Sequence, residues 1–270
     1  MPPADPVVAH YARGGLAATL LAALAAAGVD PEHPRPEDLA PLEEFHTLGR
    51  PATLELAGLA GVTAGMRVLD VGAGIGGPAR LLARRHGCHV TALDLTAEFC
   101  EVSRLLTERT GLGDRVDVRQ GDALDLPFDD GSFDLVWTQH AAMNIADKAR
   151  LYAEMHRVLV PGGRLALYDV VAGGVEPIHL PVPWAERAEI SHLVTPGALL
   201  RLLAEAGFEV VVWEDLTEVA TAWMRRLVAN PDPPALGLHL LVSDLPRKAA
   251  NWLRNLEEDR TRLLRAVARR

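Results

Sequence analysis

The sequence predicts an α/β fold: a doubly wound, mostly parallel sheet of seven strands with an N-terminal helical cap and a helical insertion. Three observations carry this. From Met66 onward, short apolar runs alternate with amphipathic helical segments, the pattern of parallel strands joined by crossover helices. A glycine-rich turn, Gly72-Ala73-Gly74-Ile75-Gly76-Gly77, lies between the first apolar run and the first amphipathic helix. The chain has 270 residues, enough for one large core and a cap over it.

The cap is expected over residues 1–60. Leu16, Leu20, Leu21 and Leu24 recur at helical spacing, and Gly28 stands where that helix would stop. Pro31, Pro34, Pro36 and Pro41 then interrupt the pattern, and a further helix starts near Pro51 and ends before Gly61. Residues 61–270 form the sheet domain, with strands expected at Arg67–Val71, His89–Leu95, Arg115–Gln120, Phe133–Thr138 and Arg164–Val171, each covered on both faces. Helices are expected at Gly77–His86, Ala97–Thr110 and Lys148–Leu159, the last with Leu151, Met155, Val158 and Leu159 on one stripe. Insertions at 172–195 and 216–258 flank a helix opened by Pro196 and a strand at Phe208–Trp213. The segment Arg262–Val267 is ambiguous by periodicity and reads as an edge strand.

Composition narrows the function. Lys plus Arg number 27 against 36 Asp plus Glu, a net charge of −9, the wrong sign for a protein that neutralises nucleic-acid phosphates. The two cysteines, Cys88 and Cys100, form no zinc-type spacing, so no metal and a reducing, cytoplasmic setting are expected. The longest charge-free run, Gly14–Val29, is 16 residues. That is short of the roughly 20 needed to span a bilayer, so no membrane is expected as a partner.

The chemistry concentrates at strand ends. Asp70 enters the glycine turn; Asp94 and Leu95 close the second strand; Asp122 and Ala123 follow the third. A carboxylate after the second strand can accept both ribose hydroxyls, and one in the glycine turn opposes bound phosphate. The ligand that fits is a cationic nucleoside without phosphates. Each carboxylate could instead cap the helix that follows it.

These motifs resemble class I S-adenosylmethionine-dependent methyltransferases of the small-molecule type related to ubiquinone biosynthesis (methyltransferase type 11), over roughly residues 43–215. The resemblance implies a Rossmann-like fold with S-adenosyl-L-methionine as cofactor. It sets Asp70, Gly72 and Gly74 beside the methionine part, Asp94 at the ribose, and Asp122 and Ala123 at the adenine, with Gly76 and Leu95 also among the cofactor-binding residues. Phe133–Trp137 resembles the family's fourth strand. Arg157–Gly163 resembles the turn before the fifth, with Val160 where a lysine or arginine is common. Glu44-Phe45-His46-Thr47-Leu48-Gly49 resembles a lid segment, and Tyr11 a tyrosine near the cofactor, though a buried helix tyrosine reads equally well.

Methyl transfer is an in-line displacement, so the protein's part is to hold an acceptor and, where it carries a proton, to remove it. His140, in the run Thr138-Gln139-His140 after the fourth strand, reads as that base or as a scaffold or acceptor-orienting group. Gln139 is assigned to the cofactor side. His46 reads as a second pocket histidine or as a plain loop or core residue, and His192 and Trp184 as walls of the acceptor site or packing. Trp223 and Trp252 read as the inner face of lid helices. The function expected is methyl transfer to N, O or C of a small-molecule acceptor, and the sequence leaves a homodimer open. The alternatives are a nicotinamide-dependent oxidoreductase and a non-catalytic S-adenosylmethionine-binding protein.

Overall fold

A computed structural model describes residues 5–230 and 235–270; residues 1–4 of the expected cap and 231–234 of the expected helical insertion lie outside them. Four helices come first: α1 (Pro6–Tyr11), α2 (Leu16–Ala26), α3 (Pro36–Glu43) and α4 (Arg50–Ala60). The prolines expected to interrupt the chain here do not all do so. Pro36 opens α3, where a missing N–H costs nothing, and the Asp38 carboxylate accepts the N–H of Arg35 at 3.0 Å. Pro41 sits inside α3 and leaves one backbone bond unmade.

The sheet domain runs β1 (Arg67–Val71), α5 (Gly77–His86), β2 (His89–Asp94), α6 (Ala97–Arg109), β3 (Val116–Gln120), β4 (Phe133–Gln139), α7 (Lys148–Val158) and β5 (Leu159–Ala172). It continues with α8 (Pro196–Glu205), β6 (Glu209–Asp215), α9 (Thr217–Ala229), α10 (Leu245–Glu257) and β7 (Thr261–Arg269). The strand order is β3-β2-β1-β4-β5-β7-β6, with β7 antiparallel to both neighbours and β1 to β5 parallel. Chain order reverses between β1 and β4, and the crevice at their carboxyl ends is where such sheets hold ligands.

Two expectations are corrected. The Arg262–Val267 segment is not an edge strand: β7 is nine residues long and lies between β5 and β6, hydrogen-bonded on both sides. Arg265 obscured its buried run, and its guanidinium is offset by Glu55 and Glu214, each at 2.7 Å. The third strand, in contrast, is not covered on both faces. β3 is a sheet edge on which Asp117, Arg119 and Gln120 are exposed, the charged dressing that keeps an edge from pairing further.

The stretch Pro6–Ala26 is apolar and long enough by composition to cross a membrane. It is broken between α1 and α2, where Gly14 and Gly15 take φ of 72° and 82°. Leu16, Leu20 and Leu24 of α2 are buried in one cluster with Phe99, Val102 and Leu106 of α6.

Candidate active site

Two adjoining cavities occupy the carboxyl ends of β1, β2 and β4. The larger, about 1070 Å³, lies over the glycine turn; the smaller, about 540 Å³, lies between the insertion after β5 and helices α9 and α10. Tyr11, Phe45, His46 and His140 line both and so form the wall between them.

The floor of the larger cavity follows from the glycines. Gly72 has φ 77°, and a Cβ there would sit 2.3 Å from the Ala141 Cβ, so no other residue lets β1 turn this close to the loop after β4. Gly74, at φ 56°, donates its N–H to Asp94 Oδ2 at 2.8 Å. Gly76 departs from its expected place. It does not line the cavity; a Cβ would meet Ser103 Oγ of α6 at 2.3 Å, so this glycine serves helix packing.

The three carboxylates differ in setting. Asp70 is buried, its Oδ2 has no partner among the described residues, and burial together with the nearby Asp94 charge pushes its carboxyl up to about 8. Asp94 accepts the N–H of Thr96 at 2.8 Å as well as that of Gly74; burial raises its pKa and those bonds oppose the rise. Asp122 is exposed at the rim, where Oδ1 accepts the Leu124 N–H at 2.9 Å in an Asx turn. Leu95, Ala123 and Gln139 line the same cavity.

The dividing wall is built on β4 and the loop after α3. His140 takes φ 50° at the end of β4, held by its N–H donating to the Tyr168 carbonyl at 2.8 Å. A histidine in the left-handed region is strained, and such strain gathers at functional sites. The Nε2 atom of its ring is buried without a partner, and burial reinforced by His46 holds its pKa well below the ordinary 6.5, so the ring is neutral near pH 7.

His46 is instead fully engaged. Its Nε2 lies 2.8 Å from Glu44 Oε2 and 3.0 Å from Thr53 Oγ1, and Nδ1 lies 3.2 Å from the Thr47 carbonyl. Burial raises the Glu44 carboxyl, but His46 and Arg50 outweigh it and hold it below its usual range. Thr53 Oγ1 also donates toward Gln139 Oε1 at 3.3 Å, which accepts the Trp137 indole N–H at 2.9 Å. The Gln139 amide nitrogen is left buried and unpartnered.

Two residues here, Asn144 and Lys148, carry no local sequence signal. The Tyr11 hydroxyl donates to Asn144 Oδ1 at 2.9 Å, and Asn144 Nδ2 donates to the carbonyls of Trp184 and Ile190, 2.8 Å each, tying α1 to the insertion after β5. Lys148 donates to the carbonyls of Ala142, Ile145 and His192, fixing the loop behind His140. His192 thus meets the site only through its backbone and does not line either cavity, contrary to expectation. Trp184, Trp223 and Trp252 do line the smaller one, with Trp184 and Trp252 edge to face at 5.5 Å and Trp252 and His140 at 5.8 Å.

Residues 69–167 match the family described as the methyltransferase domain. The matched stretch holds the glycine turn, Asp70, Asp94, Asp122 and His140.

 The glycine/sarcosine/dimethylglycine N-methyltransferase of Actinopolyspora halophila is 34% identical to the chain over 178 residues, which is 66% of this chain and 32% of that protein. The matched stretches cover 32%, 54% and 50% of the first three curated relatives, so the chain spans between a third and about half of their length. Among solved structures, phosphoethanolamine N-methyltransferase 2 of Haemonchus contortus, in complex with S-adenosyl-L-methionine, superposes with a TM-score of 0.70 at 22% identity, covering 83% of this chain and 53% of that one. Geranyl diphosphate C-methyltransferase of Streptomyces coelicolor A3(2) gives a TM-score of 0.69 at 18% identity over 100% of both chains. These two likenesses establish the Rossmann-like fold.

Proposed function

We propose that the protein transfers the methyl group of S-adenosyl-L-methionine to a small-molecule acceptor, leaving S-adenosylhomocysteine. The observation that carries this reading is the Asp70 carboxylate, buried in the floor of the glycine-turn cavity with Oδ2 unpartnered. A buried carboxyl left without a partner is costly, and a ligand ammonium is the group that would satisfy it. Asp94, with a lone pair free on each oxygen beyond its two backbone bonds, would hold the ribose, and the Asp122–Ala123 rim the adenine. A nicotinamide dinucleotide would set its diphosphate against Asp70 and Asp94, which opposes it.

The bound donor would supply an electrophilic methyl group on a positively charged sulfur. The chain's own part is to place the acceptor and to receive its proton. His140 stands in the wall between the cavities, is neutral, and makes no hydrogen bond to any described residue through its ring, so a ring nitrogen is free to take a proton. His46, held by Glu44, Thr53 and the Thr47 carbonyl, orients the wall rather than exchanging protons. We place the enzyme in the cytoplasm, on the two buried, unpaired thiols of Cys88 and Cys100.

Isothermal calorimetry tests the reading. S-adenosylhomocysteine should bind one site per chain and NADH should not; no uptake of S-adenosylhomocysteine or S-adenosyl-L-methionine would overturn it.

A further inference from the structure

We propose that the smaller cavity takes an uncharged, largely apolar acceptor and excludes phosphorylated, carboxylated and ammonium-bearing ones. This rests on the methyltransferase reading and adds to it the chemical class of the substrate. The cavity is walled by Phe45, Met143, Trp184, Trp223, Met224 and Trp252, all hydrocarbon or aromatic surface. Among the described residues no lysine, arginine, aspartate or glutamate lines it. Residues 1–4 and 231–234 include no lysine or arginine and a single acidic residue, Asp232.

The charged groups packed nearest are already committed. Lys248 lies on α10 between the lining residues Leu245 and Ala249, yet it is buried against Glu186 and Ser243 and does not reach the cavity. Arg13 donates through Nε and Nη2 to the Leu241 carbonyl, at 3.1 and 2.8 Å. His46 faces the cavity with its nitrogens taken by Glu44, Thr53 and Thr47. An anion entering here would lose its water and gain no counter-charge, and an ammonium would meet tryptophan faces but no carboxylate, neither of which repays the desolvation of the charge.

What polar capacity remains is small and neutral. Among the described residues the Trp252 indole N–H, the Thr47 hydroxyl and His140 Nε2 are buried without partners. Together they suit one or two uncharged oxygen functions on an otherwise hydrocarbon skeleton, the pattern of pockets that fix orientation with few polar groups.

Three probes of one skeleton, geraniol, geranyl phosphate and geranylamine, separate the outcomes. Each is titrated into protein saturated with S-adenosylhomocysteine, with tryptophan emission read because Trp184, Trp223 and Trp252 line the cavity. Geraniol should give a saturable change with a dissociation constant at least about tenfold below those of the phosphate and the amine. Equal or tighter binding of either charged probe, or no saturable change with geraniol, would overturn the proposal. Leu227→Arg places a cation at the rim, since Leu227 lines the cavity and is 43% exposed. This variant should keep its S-adenosylhomocysteine affinity and reverse the preference toward geranyl phosphate; an unchanged preference would count against the assigned cavity. Failure of S-adenosylhomocysteine itself to bind would instead sink the methyltransferase reading, so the two failures are distinguishable.

Discussion

The N–H of Gly74 donates to Asp94 Oδ2 at 2.8 Å, joining the turn after β1 to the end of β2. The other oxygen of Asp94 takes the N–H of Thr96 at the head of α6. Asp94 therefore has two duties, to shape the cavity and to present a carboxylate inside it. Asp94→Ala should weaken S-adenosylhomocysteine binding by about 1 to 3 kcal/mol and lower the melting temperature. Calorimetry and a thermal melt check this together; a lowered melting temperature with an unchanged dissociation constant would leave Asp94 only the shaping role.

Asp70 should make S-adenosylhomocysteine binding proton-linked. Its carboxyl, pushed up to about 8 by burial and by Asp94, is mostly protonated at pH 7, and an arriving ammonium favours the ionised form. S-adenosylhomocysteine should thus release a large fraction of a proton at pH 7 and bind more tightly as pH rises from about 6 to about 8. Calorimetry in buffers of different ionisation enthalpy measures the release, which should vanish in Asp70→Asn. For the ligand-free chain the sign is opposite. A carboxyl raised from 3.8 binds a proton that the unfolded chain has lost, so its contribution to stability falls as pH rises from about 4 to about 8.

His140 should separate turnover from folding. Its φ of 50° is one that asparagine tolerates, so His140→Asn should preserve the melting temperature and the cofactor affinity. Turnover should fall by about 10²- to 10⁴-fold, the usual worth of a general base. Because burial holds the ring well below its ordinary 6.5, kcat at saturating donor should stay level from about pH 8 to about 6.5 and fall only below that. A limb centred above 6.5, or one that persists in His140→Asn, would assign the proton transfer elsewhere.

Strands and cap helices were legible because their signals are local. Asp70 and Asp94 could be read because each lies at the end of an apolar run that reads as a strand, whereas Asp122 follows the polar edge strand β3 and was read only from its place after it. Gly74 and Gly76 could not be told apart from the string alone, yet one reaches the Asp94 carboxylate and the other packs on Ser103. β7 was obscured by Arg265, whose partners Glu55 and Glu214 lie 210 and 51 residues away. Tyr11 and Asn144, 133 residues apart, meet through tertiary packing that no spacing rule encodes. The smaller cavity was invisible for the same reason, since it is assembled from the cap, the loop after β5 and helices α9 and α10.

The same tertiary logic makes the cap part of the cofactor cavity's support. Arg80 of α5 and Glu43 at the end of α3 are each 2% exposed at the side chain and meet at 2.5 Å. Arg80 Nη1 also donates to the Ile75 carbonyl at 2.8 Å, inside the glycine turn. Removing one partner strands the other, so Glu43→Gln should destabilise the fold by about 3 to 5 kcal/mol, a fall in melting temperature on the order of 10 °C. Pairing it with Arg80→Met removes the stranded charge, and the double variant should recover much of that loss. The Ile75 carbonyl then lacks its donor, so the double variant should still bind S-adenosylhomocysteine more weakly than the parent. Equal melting temperatures for Glu43→Gln and the parent would show that the pair does not carry the cap onto the sheet domain.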